Sequence, residues 1–247
     1  MKYLIIILIF TCSLIGCKGE PGPAGPTLSG DIIGHLTLFA EDGLPLQDMS
    51  GAKVSIDGSD YSTLTAADGS WKLLSIPAGV YTIVYSKTGF MTVKNFNIQF
   101  VGSGTYSLGT QEIGQIPSVT VAQLKIFLSP NDTNNFIIEG TISSADSFSV
   151  RVGIFLDKKP IVVSSTMTYL FQINEFLVAG QTSFSIPIGI YDYLEASYRL
   201  PSGSQLYARA CVLPGNGYAD ASNPFTGENE VYSSGISFSH LDSLTVP

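Results

Sequence analysis

The stretch GAKVSIDGSDYSTLTAADGSWKLLSIPAGVYTIVYS, residues 51–86, decides the fold. Its opening residues set Ala52, Val54 and Ile56 on one face and Lys53, Ser55 and Asp57 on the other, the period-two pattern of a half-buried strand. Its closing residues, Val80 to Ser86, are apolar on nearly both faces, as a strand covered by neighbours on each side should be. Between them stand turn signals at Asp57-Gly58, Asp68-Gly69 and Pro77-Ala78-Gly79, of which Asp68-Gly69 is expected to close a hairpin. Elsewhere in the chain no useful window keeps a 3.6-residue apolar period without interruption by Gly, Pro or β-branched residues. The expectation is an all-β protein.

Several spaced motifs run in order through this region. They are Gly43-Leu44-Pro45-Leu46, Gly51-Ala52-x-Val54, Thr65-x-x-Asp68-Gly69-x-Trp71-x-Leu73, Ile76-Pro77-Ala78-Gly79-x-Tyr81-x-Ile83 and Gly89-Phe90. The pattern resembles the carboxypeptidase regulatory-like domain, the transthyretin-related sandwich. That resemblance implies a seven-stranded β-sandwich over residues 30–113 and a non-catalytic accessory role. Physically, Trp71, Tyr81 and Ile83 supply core bulk, and Pro77 and Gly79 shape a turn.

The segment GQIPSVT, 114–120, begins a new pattern. In SFSVRVGIFLD, Phe148, Val150, Val152, Ile154 and Leu156 share a face opposite Ser149, Arg151 and Gly153; in TSFSIPIGI, Phe184, Ile186, Ile188 and Ile190 do the same. Pro187 has no N–H to give to a ladder, so its strand is expected at an edge or a bulge. The run from Leu200-Pro201 through Leu206-Tyr207-Ala208-Arg209-Ala210, with its long loop and last strand, resembles the end of fibronectin type III-like domains. That resemblance implies a second sandwich over residues 114–247, so the expected fold is two tandem antiparallel β-sandwiches. If Leu206, Ala208, Ala210 and Val212 form the buried face, Tyr207 points outward; a one-residue shift reverses the assignment.

The N-terminus, MKYLIIILIFTCSLIGC, carries one early lysine and an apolar run from Tyr3 to Phe10, too short to span a bilayer as a helix. Its exit, Leu14-Ile15-Gly16-Cys17, resembles the lipobox of bacterial lipoproteins, which implies a signal peptide over 1–16 and acylation of Cys17. Residues 17–29 then read as the lipidated cysteine and a tether. Three Gly-x-x triplets there are far too few for a collagen helix and instead favour an extended spacer of about 3 Å per residue. With Cys12 in the signal and Cys17 acylated, Cys211 has no disulfide partner.

Composition narrows the function. Twelve basic residues against twenty acidic ones give a net charge of −8, which lacks the dense cationic footprint of nucleic-acid binding and of adhesion to anionic lipid through a basic patch. The two histidines, His35 and His240, come from opposite ends of the chain, and no metal-ligand spacing, nucleophile elbow or phosphate loop occurs. Neither catalytic residues, a metal nor a cofactor is expected, although a Cys211 dyad with His35 or His240 is formally conceivable. Oxygen-rich turns at 57–60 and 129–135 pose a calcium question without matching a known loop.

Two stretches invite a binding role. The loop PGNGYADASNPFTGENE, 214–230, offers Tyr218 and Phe225 for stacking, with Asn216, Asp220 and Asn223 as hydrogen-bonding partners. YDYLEASY, 191–198, gathers tyrosines, Tyr191 and Tyr193 among them. The combined expectation is a lipid-anchored, non-catalytic envelope protein, set at the outer membrane, that binds or presents an unknown glycan or protein. A structural spacer or assembly subunit is the alternative, and an undetected hydrolase a distant one.

Overall fold

A computed structural model describes residues 28–132, 135–144, 147–163, 167–189, 201–216, 221–227, 229–231 and 236–246. The described residues form β-strands and connecting turns, with no helix among them. Seven strands lie between residues 29 and 114: β1 (Ser29–Phe39), β2 (Lys53–Ile56), β3 (Ser62–Leu64), β4 (Ser70–Pro77), β5 (Gly79–Ser86), β6 (Val93–Phe100) and β7 (Thr105–Gly114). They make two sheets, ordered β4-β1-β7 and β3-β2-β5-β6, which bury a common core. Ala52, Val54 and Ile56 are all at or near zero exposure in it, as their spacing predicts.

Two local features depart from the sequence expectation. The Asp68-Gly69 turn does not close a hairpin within one sheet; it hands the chain from β3 in one sheet to β4 in the other. Gly69 is required there, because it has a φ of +86° and an added Cβ would lie 2.3 Å from the Leu36 carbonyl oxygen. The second departure is that β1 and β7 run parallel, from Asp31 opposite Thr105 to Phe39 opposite Gly114, while the other ladders among the described residues are antiparallel.

The remaining strands are β8 (Val121–Leu128), β9 (Asn135–Ile142), β10 (Val150–Asp157), β11 (Met167–Tyr169), β12 (Phe171–Leu177), β13 (Ser183–Gly189), β14 (Gln205–Leu213), β15 (Ala221–Ser222), β16 (Asn229–Val231) and β17 (Asp242–Thr245). A sheet ordered β13-β9-β8 packs against one ordered β12-β10-β14-β17. Val150, Val152, Ile154 and Leu156 of β10 meet Leu206, Ala208, Ala210 and Val212 of β14 in that core, and Tyr207 is only partly buried. Pro187 lies on β13, which among the described residues is an edge strand bonded to β9 alone. The Asp242 carboxylate accepts the Ile126 amide hydrogen at 2.8 Å and so ties β17 to β8 across the two sheets.

The larger sheet of this second sandwich buries apolar side chains on both faces. Its outer face carries Phe155, Cys211 and Leu213, each at most 2% exposed. They are covered by Met167 and Tyr169 of the small sheet β11-β16-β15, by Ile236, and by Met91 and Ile116, which lie just beyond β5 and β7 of the first sandwich. The two sandwiches thus share an apolar joint.

Candidate functional site

The described parts of the long loop are spent on that joint. Residues 214–216 follow β14 directly and run against the end of β7, so closely that a Cβ on Gly114 would sit 2.2 Å from the Asn216 carbonyl oxygen and 2.5 Å from the Pro214 Cβ. The Asn216 side-chain amide donates to the Gly43 carbonyl at 2.8 Å, and an Arg151 guanidinium nitrogen donates to the Pro214 carbonyl at the same distance. Further along, the Phe225 ring stands edge-on to Phe96 of β6 with centroids 6.2 Å apart, while 68% of the residue stays exposed. Asn223 shapes the turn: its Oδ1 accepts the Phe225 amide hydrogen at 2.9 Å and its Nδ2 donates to the buried Glu230 carboxylate at 2.9 Å. Of the residues singled out from sequence, Asn216 and Phe225 each contact the first sandwich, at Gly43 and Phe96, and Asn223 shapes the turn that carries Phe225. Cys17, Tyr191, Tyr193, Tyr218 and Asp220 lie outside the described residues.

Cys211 sits in the same joint with no exposed surface. Burial pushes its thiol well above the ordinary cysteine range, and the nearby Arg151 charge offsets this only in part. A thiol held neutral and sealed from solvent is not an activated nucleophile. His240 is exposed, and His35 belongs to a different place altogether, on β1 of the first sandwich. Among the described residues, no group of three His, Cys, Asp or Glu side chains is placed to hold a metal ion. In the oxygen-rich turns, Asp57 is paired with Lys94 at 2.8 Å and Asp132 accepts from the Asn135 amide at 2.8 Å.

Among the described residues, two shallow clefts present polar groups away from the joint, and a third, of about 510 Å³, lies around Lys53, Lys87 and Phe90. One, of about 560 Å³, lies beside Trp71 on the first sandwich and is edged by His35, Thr63, Ser70, Lys72 and Thr110. The indole packs on Gly34, where an added Cβ would meet it at 2.4 Å, and stands edge-on to Tyr85 at 5.8 Å. Its buried Nε1–H has no hydrogen-bond partner, an expensive state for a donor inside a protein. Gly34 falls in a bulge of the β1–β7 ladder, between the Ile33–Ser107 and His35–Thr110 pairs, which opens the sheet at this point. At the rim, Lys72 is held by Asp31 at 2.7 Å. The Lys72 hydrogen bond, aided by the Ser75 amide, keeps the Asp31 carboxyl below its ordinary value.

The other cleft, of about 440 Å³, lies on the β13-β9-β8 side of the second sandwich, edged by Gln123, Lys125, Glu139, Glu175, Gln181 and Ser185. The Ser185 hydroxyl donates to Glu139 at 3.2 Å. The first cleft mixes hydroxyl groups and Lys72 with apolar Ile33, Leu64 and Trp71, while the second is lined mainly by amide, hydroxyl and charged groups. Sequence reasoning missed both. Trp71 reads as core, which it also is, and the sequence signs of the first cleft are the two glycines, Gly34 and Gly109, that flank its bulge.

No family model matches the chain, and none of the curated proteins does. Solved structures overlap it in part. A DUF3823 family protein from Bacteroides ovatus is 18% identical, covering 90% of this chain and 100% of that one, with a TM-score of 0.32. A provisionally assigned carbohydrate binding protein from Bacteroides uniformis is 14% identical over the same shares, with a TM-score of 0.31. A cohesin-X-dockerin complex structure from Acetivibrio cellulolyticus is 19% identical over 35% of this chain, with a TM-score of 0.32, and the match spans only 58% of that chain's length. At these scores the overlaps carry no argument about ligand or partner.

Proposed function

We propose that the chain is a lipid-anchored, non-catalytic protein of a bacterial cell envelope, acylated at Cys17 and set at the outer membrane, that binds a glycan through its polar clefts. The observation that carries the non-catalytic reading is the sealing of Cys211 inside the joint, which removes from solvent the thiol of the conceivable Cys211 dyad. What remains open is a hydrogen-bonding surface, and the cleft beside Trp71 adds a buried donor without a partner. A regulatory-like sandwich followed by a fibronectin type III-like one accords with this. The first region has seven strands in a three-plus-four arrangement, and the second sets β13-β9-β8 against β12-β10-β14-β17.

Trp71 is the only tryptophan in the chain, so its fluorescence reports directly on the first cleft. Titration of the purified protein with a glycan panel, repeated on Thr63→Ala, Thr110→Ala, Tyr218→Ala and Phe225→Ala, is expected to give a saturable change that one or both threonine variants weaken. No response to any glycan, or one indifferent to all four changes, sinks the glycan reading. For the anchor, Cys17→Ala is expected to move the protein out of the membrane fraction; unchanged retention contradicts acylation.

A protein partner is the second reading, favoured by one observation. β12 is an edge strand, and Phe176 on it and Val178 just after it are each 65% exposed. Such an edge invites strand addition. Mild crosslinking in intact envelopes is then expected to trap a stoichiometric partner that Phe176→Lys abolishes.

A further inference from the structure

The end of the first sandwich opposite the joint has no role in the reading above. It is built from Leu28, the β4–β5 turn and the β6–β7 turn. The Leu28 carbonyl accepts the Ala78 amide hydrogen at 2.9 Å and lies 2.4 Å from where a Cβ on Gly102 would be. Gly79 pairs with Phe100, and Phe100 in turn sets its ring 6.2 Å from that of Tyr106. The tip is therefore one continuous surface. It displays Leu28 at 58%, Val80 at 61%, Val101 at 71% and Tyr106 at 42% exposure.

Its charge is as unusual as its apolarity. The turns that form it and the strands that run into them, residues 28–30, 73–86 and 95–111, contain no Asp, Glu, Lys or Arg, in a chain whose net charge is −8. The flanking carboxylates Asp31 and Asp57 are neutralised by Lys72 and Lys94. Asp60, on the turn after β2, is the remaining acid at its side.

We infer that this tip is a membrane-contact surface, on which Leu28, Val80, Val101 and Tyr106 rest in the interfacial layer of the bilayer that holds Cys17. The inference rests on the lipid-anchor reading, and three observations point to lipid. The tip is where the described chain begins, with ten residues (18–27) between it and Cys17, so the acylated cysteine is at most about 40 Å of fully extended chain away. The absence of charge suits an anionic surface that would repel the rest of the protein, and aliphatic side chains beside a tyrosine are the residue types that settle at a lipid–water boundary. Such a contact is weak alone. A tether of this length raises the effective concentration of the tip at the bilayer to about the millimolar range, which makes weak contact sufficient. The consequence is orientation: the tip faces the bilayer, and the joint and second sandwich point away from it.

The test uses the acylated full-length protein in vesicles of phosphatidylethanolamine and phosphatidylglycerol. An environment-sensitive fluorophore is placed at Val101→Cys, at Tyr106→Cys as a second tip position, and at Phe176→Cys on the second sandwich. Cys211 is buried and takes no label. A nitroxide lipid is expected to quench both tip labels about threefold more than the label at 176, with blue-shifted emission at the tip. Equal quenching at tip and far site, with the protein still floating with the vesicles, overturns the tip contact and leaves the anchor standing. Flotation unchanged by Cys17→Ala overturns the anchor and the inference with it. A blue shift at 101 that depends on protein concentration without vesicles assigns the tip to a second copy of the chain, and also overturns the inference.

Discussion

At the end where β1 begins, the first sandwich leaves Leu28, Val101 and Tyr106 in solvent; at the end where β1 finishes, Met91 is buried and Ile116 partly buried against Phe155, Cys211 and Leu213 of the second sandwich. The sandwich core between the two ends is ordinary, a single layer of Val, Ile and Leu with Trp71 and Tyr85 for bulk. The difference lies in what covers the exposed strand ends. Apolar cover at the joint makes the pair of sandwiches cooperate, whereas the tip carries nothing that the fold itself requires. Changes at the joint should therefore cost stability and changes at the tip should not.

The largest effect is expected for Phe155→Ala. Phe155 is fully buried, with Tyr169 at 5.0 Å and Phe238 at 5.9 Å between ring centroids. Truncating such a ring costs about 3–5 kcal/mol. Calorimetry is expected to show one cooperative transition in the parent splitting into two, with the higher one belonging to the first sandwich. Val101→Ala, at the tip, is expected to leave the single transition in place. If both variants behave alike, the joint does not couple the sandwiches.

Next comes Gly114→Ala, which forces a methyl group against the Asn216 carbonyl and the Pro214 ring. Backbone is involved, so the strain cannot be relieved by a rotamer change, and a loss of about 1–3 kcal/mol is expected. Part of that loss should appear as opening of the joint, read as faster alkylation of Cys211 in native conditions. In the parent the thiol is sealed and held neutral, so at a fixed pH its modification should track the opening of the structure.

The joint is also where sequence and structure part company. The half-buried strands were legible, because one face of each meets its own sandwich: Ala52, Val54 and Ile56, or Val150 to Leu156, alternate as written. The outer face of β10 and β14 was not. Phe155, Cys211 and Leu213 are buried by residues as far off in the chain as Met91 and Ile236, and no local period reports such a cover. It leaves only a continuous apolar run, ACVL at 210–213, in place of alternation. The long loop after β14 was conspicuous for its length, which suggested a ligand; the structure uses its start to reach across to Gly43 and Gly114. The parallel pairing of β1 with β7, and the bulge that opens the Trp71 cleft, depend on segments some 74 residues apart, as in Asp31 with Thr105, and carry no short-range signal.

The smallest effect probes the tip side through Asp31. Its carboxylate binds Lys72 and accepts the Ser75 amide hydrogen at 3.1 Å, where Ser75 is held at a φ of +54°. The Lys72 hydrogen bond first, and the Ser75 amide second, lower its pKa from 3.8. A carboxyl that is more acidic when folded contributes stability above its unfolded pKa and loses it as pH falls through the folded one. Asp31→Asn should therefore be slightly less stable than the parent at neutral pH, and the two should converge below about pH 4. Because both partners are partly in solvent, added salt should narrow the gap at neutral pH as well. Denaturant midpoints across pH 2–7 decide it. A gap that persists undiminished at the acid end would mean that Asp31 acts by shaping the Ser75 bulge, not through its charge, and the first strand of the tip would then be fixed by backbone geometry alone.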